Sequence, residues 1–593
     1  MPRGSSILVL ALFVASRAAG REASAGGAIL VSPEAPVVGG PLRVVAVSDR
    51  PLDGTLSFVA PDGGELAATR ERRGGPPYWW YLEAATRAAG AHRACLEGAE
   101  TTCTEVAVGR SSPRPTGAGV WPVTREWSGA TEALYSAWIE KLFDDPLDVE
   151  PSWRALDEVT RQGERNFLHE HLGLGEDGEY GLRLAPDCAD LPYFLRAYFA
   201  WKLGLPFGWS ECSRGEGGHP PRCTRWHSNL EAVDGGDTVA RMERFFSREL
   251  AWGVQSGAGR VPAEDDHTDF YPTRLSADTL RPGTVYADPY GHTLVLVRRV
   301  PQTASSPGLL LAVDAQPDGT VARKRYWRGN FLFALDPSLG SAGFKHFRPI
   351  VRESRKVRPL ANREILMDPD RGDYSLEQYQ TDVEGFYDRV DDLLSPEPLD
   401  RAVAFRAAID ALDEQIRTRI RAVANGETFM ATHSGTIPMP EGAAIFETTG
   451  PWEDYATPAR DLRLLIAIDV VRGFPEKAAK RPERFAATAD RSPADVRAQL
   501  EAILRDEATS RRFEYTRSDG SRWTLTLGDV LARTEAFEIA YDPNDCIEVR
   551  WGAPPDSEEL ETCRRRAPAH QAARMMRYRA WFQIGRASCR ERV

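Results

Sequence analysis

Asp187-Cys188-Ala189-Asp190-Leu191-Pro192-Tyr193-Phe194-Leu195-Arg196-Ala197-Tyr198-Phe199-Ala200-Trp201-Lys202-Leu203-Gly204-Leu205 is the stretch on which the reading of this chain turns. Leu191, Leu195, Tyr198 and Phe199 recur at helical spacing on one face, with Phe194, Ala197 and Trp201 beside them, so the segment predicts a helix buried on most sides. Asp187 stands where a capping side chain accepts backbone N–H groups, which puts Cys188 at the helix start. Unpaired amides there carry partial positive charge and favour a thiolate over a thiol. Pro192 keeps a second placement open: a helix that begins at Leu191 leaves Cys188 in the preceding loop and weakens that argument.

The two ends are set apart from the fold. Residues 1–25 carry Arg3, an apolar run from Ile7 to Ala15 and the small residues Ala18-Ala19-Gly20 and Ala23-Ser24-Ala25, the pattern of a secretory signal peptide. A secreted or periplasmic mature chain is the expectation. No later stretch reaches about 18 uninterrupted apolar residues, so no transmembrane segment is expected. At the other end, residues 584–593 back-translate to a common sequencing adapter and are read as an artefact.

Without Cys589 the eight cysteines become seven, and an odd number in an exported chain leaves one over. Cys95 and Cys103, Cys212 and Cys223, and Cys546 and Cys563 each bracket a short turn or loop, so three local disulfides are expected and Cys188 remains. An unpaired thiol in an oxidising compartment is either a shielded core residue or chemically employed.

A length of 593 residues with 42% hydrophobic content suits about two to four domains. The formal net charge of −12 becomes −14 once the terminal decapeptide's three arginines and one glutamate are removed. With no concentrated basic face, nucleic acid is excluded as a partner. The Arg-rich run from Arg348 to Arg358 reads as a solvated linker.

The expected fold class is α+β multidomain. Residues 27–109 hold short runs bounded by Gly, Pro and Asp and read as an Ig-like β-sandwich, with Tyr78-Trp79-Trp80-Tyr81 packing its core rather than forming a carbohydrate platform. Residues 110–119 are a Ser/Pro/Gly linker and 120–350 a catalytic α+β domain. Residues 351–374 read as a second linker and 375–583 as a mainly helical domain, in which the Thr/Gly/Pro-rich part from Glu427 to Tyr455 is a lid or interaction loop.

Within 120–350, Pro282-Gly283 opens a strand, Tyr290-Gly291 forms a turn, and His292 starts a second strand through Val297. The strand from Leu309 to Val313 ends at Asp314, before a Gln-Pro-Asp-Gly turn. Pairing of these strands predicts a carboxylate beside an imidazole, the partners that a nucleophilic cysteine needs. Tyr180-Gly181, Asp187-Cys188-Ala189-Asp190, Pro282-Gly283 and Gly291-His292 together resemble the NlpC/P60-type cysteine peptidases, and the Cys, His, Asp order is similar to transglutaminase-like proteins. Both families have the papain-like fold.

That resemblance covers about residues 180–314. It implies Cys188 as nucleophile, His292 as base, Asp314 as the orienting residue and Tyr180 as an oxyanion donor. The implied activity is cleavage of amide bonds without a cofactor, with peptide or cell-wall crosslinks as substrate. Transglutaminase-like acyl transfer and an inactive secreted scaffold are the alternatives, and the oligomeric state stays open. The local sequence departs from the peptidases' usual Asp-Cys-Ser-Gly, and a long loop from Trp209 to Tyr271 separates Cys188 from His292. Zinc at Cys212, His219, Cys223 and His227 is disfavoured by spacing and compartment; His219, His227 and His267 read as surface residues. Asp368 to Asp373 lacks carboxylates at the positions a calcium loop requires and reads as a turn.

Overall fold

The computed structural model describes residues 27–109, 119–215, 218–232, 236–304, 306–446, 448, 450–485 and 492–588. The expected leader and all of the 110–119 linker except Gly119 lie outside the described residues. The chain is a mixed α+β multidomain fold, and no helix among the described residues is long and apolar enough to cross a membrane.

Two four-stranded antiparallel sheets make the N-terminal sandwich. In the strand Pro41–Ser48, Leu42, Val44 and Ala46 pack inside it with Phe58, Trp80 and Val106, while Val45 and Val47 face the next unit. A strand buried on both faces needs an unbroken apolar run, and period two divides that run between two cores. The same division sends Trp80 inward and Trp79 outward, where its indole donates to Glu140 at 2.9 Å. Both tryptophans are core residues, as the packing reading expected.

The central unit is built on a seven-stranded antiparallel sheet in the order Phe270–Pro272, Gly343–Phe347, Val285–Ala287, Thr293–Val300, Leu309–Ala315, Val321–Arg325, Ser152–Trp153. Val295, Val297, Leu311 and Val313 share one core with the helices Gly129–Leu142 and Asp190–Leu203. Leu294, Leu296, Leu310 and Ala312 share the opposite core with Phe386, Tyr387 and Val390 of the helix Val383–Leu394. The sheet's second cover therefore comes from beyond residue 374, inside the segment read as a helical domain.

Residues 351–374 differ from the linker expected there. They form a hairpin, Ile350–Glu353 with Lys356–Pro359, and a short helix, Asn362–Met367, whose Ile365 packs with Leu360 and Tyr271. Arg348 is buried rather than solvated and donates to the carbonyls of Thr268, Leu360 and Asp265. A guanidinium's five donors satisfy several buried carbonyls at once, which charge patterning along a sequence does not reveal.

A third core gathers around the helices Arg401–Thr432 and Pro458–Lys480, joined by a buried Arg419–Asp461 pair at 2.8 Å, with one hairpin, Arg512–Thr516 with Arg522–Thr526. The helix Ala569–Ser588 continues past Gln583, and Arg586 pairs with Asp469 and Glu538, both at 2.8 Å. Three disulfides, Cys95–Cys103, Cys212–Cys223 and Cys546–Cys563, close locally.

Candidate active site

Among the described residues Cys188 is the cysteine outside any disulfide, and its side chain is half-buried. The chain before it begins a helical turn: Leu191 N–H donates to the Asp187 carbonyl at 3.0 Å, and Ala189 already has helical angles. Asp187 Oδ1 caps this turn by accepting from the Ala189 and Asp190 amides at 2.8 and 3.0 Å. The helix proper starts at Asp190 with Ala189 as its N-cap, so Cys188 lies in the capped turn just before it, the second of the two placements open in the sequence, and the dipole argument for a thiolate weakens. Pro192 leaves the Cys188 carbonyl open to a distant donor. Continuation of the helical pattern would have residue 192 donate to that carbonyl, and proline has no N–H. The carbonyl instead accepts from Thr293 Oγ1, which ties the helix start to the strand after His292.

On the other side of His292, Cys188 Sγ lies 3.8 Å from the Gly291 carbonyl. The residues before and after the histidine thus both touch Cys188. His292 Nε2 is 3.0 Å from Asp314 Oδ2. An ionised carboxylate only accepts, so Nε2 carries the proton in the neutral ring and Nδ1 keeps its lone pair. Period two accounts for the pairing: Asp314 follows Ala312 on the face of Leu294, and one further step back along that alternation reaches His292.

Burial alone would raise the Asp314 carboxyl, but the Lys324 ammonium at 3.9 Å and the His292 hydrogen bond together hold it below the ordinary aspartate range. Gln316 Nε2 donates a further bond to Asp314 Oδ2 at 3.0 Å. The turn before His292 is held by Asp288, which is completely buried: its Oδ1 accepts from Tyr290 N–H at 2.6 Å and its N–H donates to the His292 carbonyl at 2.8 Å. Gly291 takes φ of +94° in this turn, a conformation glycine adopts without side-chain strain. Gln316, Asp288 and Thr293 were not singled out from sequence. An Asp two residues before the Tyr-Gly step was a legible turn signal, whereas Gln316 offered only its place two residues after Asp314.

The structure does not bring Tyr180 into this group. It is 91% exposed, and no hydrogen bond joins it to Cys188, His292 or Asp314 among the described residues. Gly181 is packed against the carbonyls of Glu176 and Gly175, and this tight turn leaves Tyr180 on the surface. The Cys212–Cys223 disulfide removes the thiolates that zinc would need. His227, half-buried rather than on the open surface, is held instead by Glu211 at 2.7 Å and Glu231 at 3.0 Å. In the Asp368 to Asp373 turn, Arg371 pairs with Asp368, while Asp373 accepts from His346 and Tyr271. A cavity of about 60 Å³ elsewhere in the central unit, lined by Tyr135, Arg281 and His346 among others, includes none of the three candidate residues.

Asp190 adds a pH-dependent element beside Cys188. Burial first, and the Asp187 charge second, push it up to about 8. A carboxyl raised in the folded state keeps a proton that the unfolded chain releases. Its contribution is full below the ordinary aspartate value of about 4 and is lost as pH rises to about 8. Asp190→Asn keeps an oxygen for the Asp187 amide, so it is expected to flatten the decline in melting temperature across that window. A pH series of melting curves checks this; a variant that declines as steeply as the parent would remove the account.

No protein-family model, no curated protein and no solved structure matches this chain.

Proposed function

We propose that the chain is an exported cysteine hydrolase that cleaves amide bonds, with a papain-like core formed by the central sheet and the Cys188 helix. The observation that carries this reading is the His292–Asp314 contact at 3.0 Å, with His292 just ahead of the strand Thr293–Val300 and its neighbours Gly291 and Thr293 both meeting Cys188. The three disulfides fit an oxidising compartment, in which Cys188 is kept apart from the six bridged cysteines.

In this mechanism the Cys188 proton passes to His292 Nδ1, and the thiolate attacks the amide carbonyl carbon. The C–N bond breaks as the imidazolium protonates the leaving amine, giving a thioester on Cys188. Water, deprotonated by the same imidazole, then attacks the thioester and releases a carboxylic acid and the thiol. Asp314 fixes the ring tautomer and stabilises the imidazolium. Peptide crosslinks of a cell wall are the substrate class this reading favours, because export places the enzyme beside them. A catalytically inactive scaffold is the second reading, favoured by the exposure of Tyr180, which leaves the expected oxyanion donor outside the site.

An electrophilic amide-mimicking probe separates the two. Wild type is expected to be labelled at Cys188, confirmed by peptide mapping, and Cys188→Ala to stay unlabelled. Equal labelling of both proteins, or labelling of Cys188 that His292→Ala leaves unchanged, would defeat the enzyme reading.

A further inference from the structure

The helix Pro458–Lys480 presents Arg460 and Arg463 three residues apart, a spacing that puts both on one helix face. Each reaches one arm of the site. Arg463 Nη2 donates to Asp288 Oδ2 at 2.9 Å, across 175 residues of sequence. Asp288 uses its other oxygen and its N–H to hold Tyr290 and the His292 carbonyl. Arg460 Nη2 donates to Gln316 Oε1 at 3.2 Å, across 144 residues.

The second contact decides an orientation. Guanidinium has donors only, so the Gln316 amide must turn its oxygen to Arg460 and its NH2 to Asp314, whose ionised carboxylate only accepts. Asp314 Oδ2 then receives two donors, His292 Nε2 and Gln316 Nε2, each at 3.0 Å. The Arg463 contact is also costly to lose, because Asp288 is completely buried and its charge would be left without a cationic partner. A carboxylate so placed keeps its orientation only while its partner is present.

We propose that Arg460 and Arg463 are positioning residues, by which the C-terminal helices clamp His292 and Asp314 into working geometry. This rests on the cysteine-hydrolase reading. The clamp acts through other side chains and need not touch substrate. It makes reactivity at Cys188 depend on docking of a helix more than 250 residues away in the chain, a separation evident from the numbering.

The test is the rate of Cys188 alkylation by iodoacetamide against pH, in the full chain. A thiol paired with an imidazole reacts well below the ordinary cysteine pKa of about 8.5, giving a low-pH arm that an isolated thiol lacks. Arg463→Met is expected to cut the rate at pH 6 by about tenfold or more and to leave it within about twofold at pH 9. Arg463→Lys, which keeps a charge near Asp288, is expected to restore most of the low-pH arm. Arg472→Met removes a contact to the Leu531 carbonyl on the same helix, away from the site, and is expected to keep the parental profile. If Arg463→Met fails to fold, Arg460→Met and Gln316→Ala carry the same expectation for the half-buried Gln316 arm.

Folded Arg463→Met and Arg460→Met proteins with the parental profile would overturn the clamp. So would an equal loss in Arg472→Met, which would make the effect one of general stability. A parent that shows a single ionisation near 8.5, unchanged in His292→Ala, would instead remove the cysteine-histidine reading and the clamp with it.

Discussion

Cys188→Ala and His292→Ala are each expected to lower the rate of amide hydrolysis by a factor on the order of 10⁴ to 10⁶, and the double variant by no more than either alone. The non-additivity is the informative part. A thiol without its base attacks slowly, and a base without its thiol has nothing to activate, so removing the second partner takes away little more. Asp314→Asn is expected to fall less far, because Gln316 and the strand still hold the residue in place while the tautomer preference of His292 is lost. Single-turnover rates on a cleavable peptide or cell-wall fragment provide the measurement. Two single variants whose losses multiply in the double would mean that Cys188 and His292 do not act together.

Lys202→Met is expected to have the largest effect on stability. Lys202 lies on the helix Asp190–Leu203 that follows Cys188, and its side chain is 0% exposed, with Glu176 and Asp177 each 2.6 Å from its ammonium. Burial raises the Glu176 carboxyl, but the Lys202 charge and several hydrogen bonds bring it down to about 2. Methionine fills much of the same volume and leaves two acidic groups in a dry interior. Breaking a buried pair in this way costs about 3–5 kcal/mol. For a unit of this size that corresponds to a melting temperature lower by about 10 °C. Several domains make a single unfolding free energy ill defined, so the transition should be followed in the central unit, by hydrogen exchange of the Asp190–Leu203 amides. Replacing Glu176 and Asp177 by their amides in the same protein should recover much of the loss. Failure of the single variant to lower the transition would show that water already reaches this cluster.

The wild-type pair also has a pH signature. Glu176 sits below its unfolded value, so its contribution is present above about pH 4 and disappears as pH falls toward about 2. Asp190, raised to about 8, acts in the opposite sense and at higher pH. The two windows do not coincide, so Glu176→Gln and Asp190→Asn are each expected to change a different end of a melting profile taken across pH 2 to 9.

Local features of this chain were readable before any tertiary contact was known. Each disulfide joins cysteines separated by 8, 11 or 17 residues, and bridges of that kind need only a turn between two short segments. Apolar spacing marked the buried helix, although it starts at Asp190, just after Cys188, and the contact between His292 and Asp314 followed from the alternation of two short strands. In each case the interaction is between near neighbours or repeats along an element, so spacing in the sequence translates directly into geometry.

Other features had no such translation. Tyr180 was placed by order along the chain, and a tight turn around Gly181 carries it to the surface instead. Arg348 looked solvated because charge runs usually are, yet it donates to three carbonyls from two segments, Asp265 and Thr268 in one and Leu360 in the other. The second cover of the sheet, the Val383–Leu394 helix, and the grip of Arg460 and Arg463 on Gln316 and Asp288 join segments that share no local pattern. Residue types, caps and periodicities specify which elements form and which faces are apolar, because those follow from backbone and side-chain physics within a few residues. Which distant element covers a face, and which buried charge meets which donor, depends on the packing of whole layers, where many apolar faces are interchangeable and the satisfaction of buried polar groups selects among them.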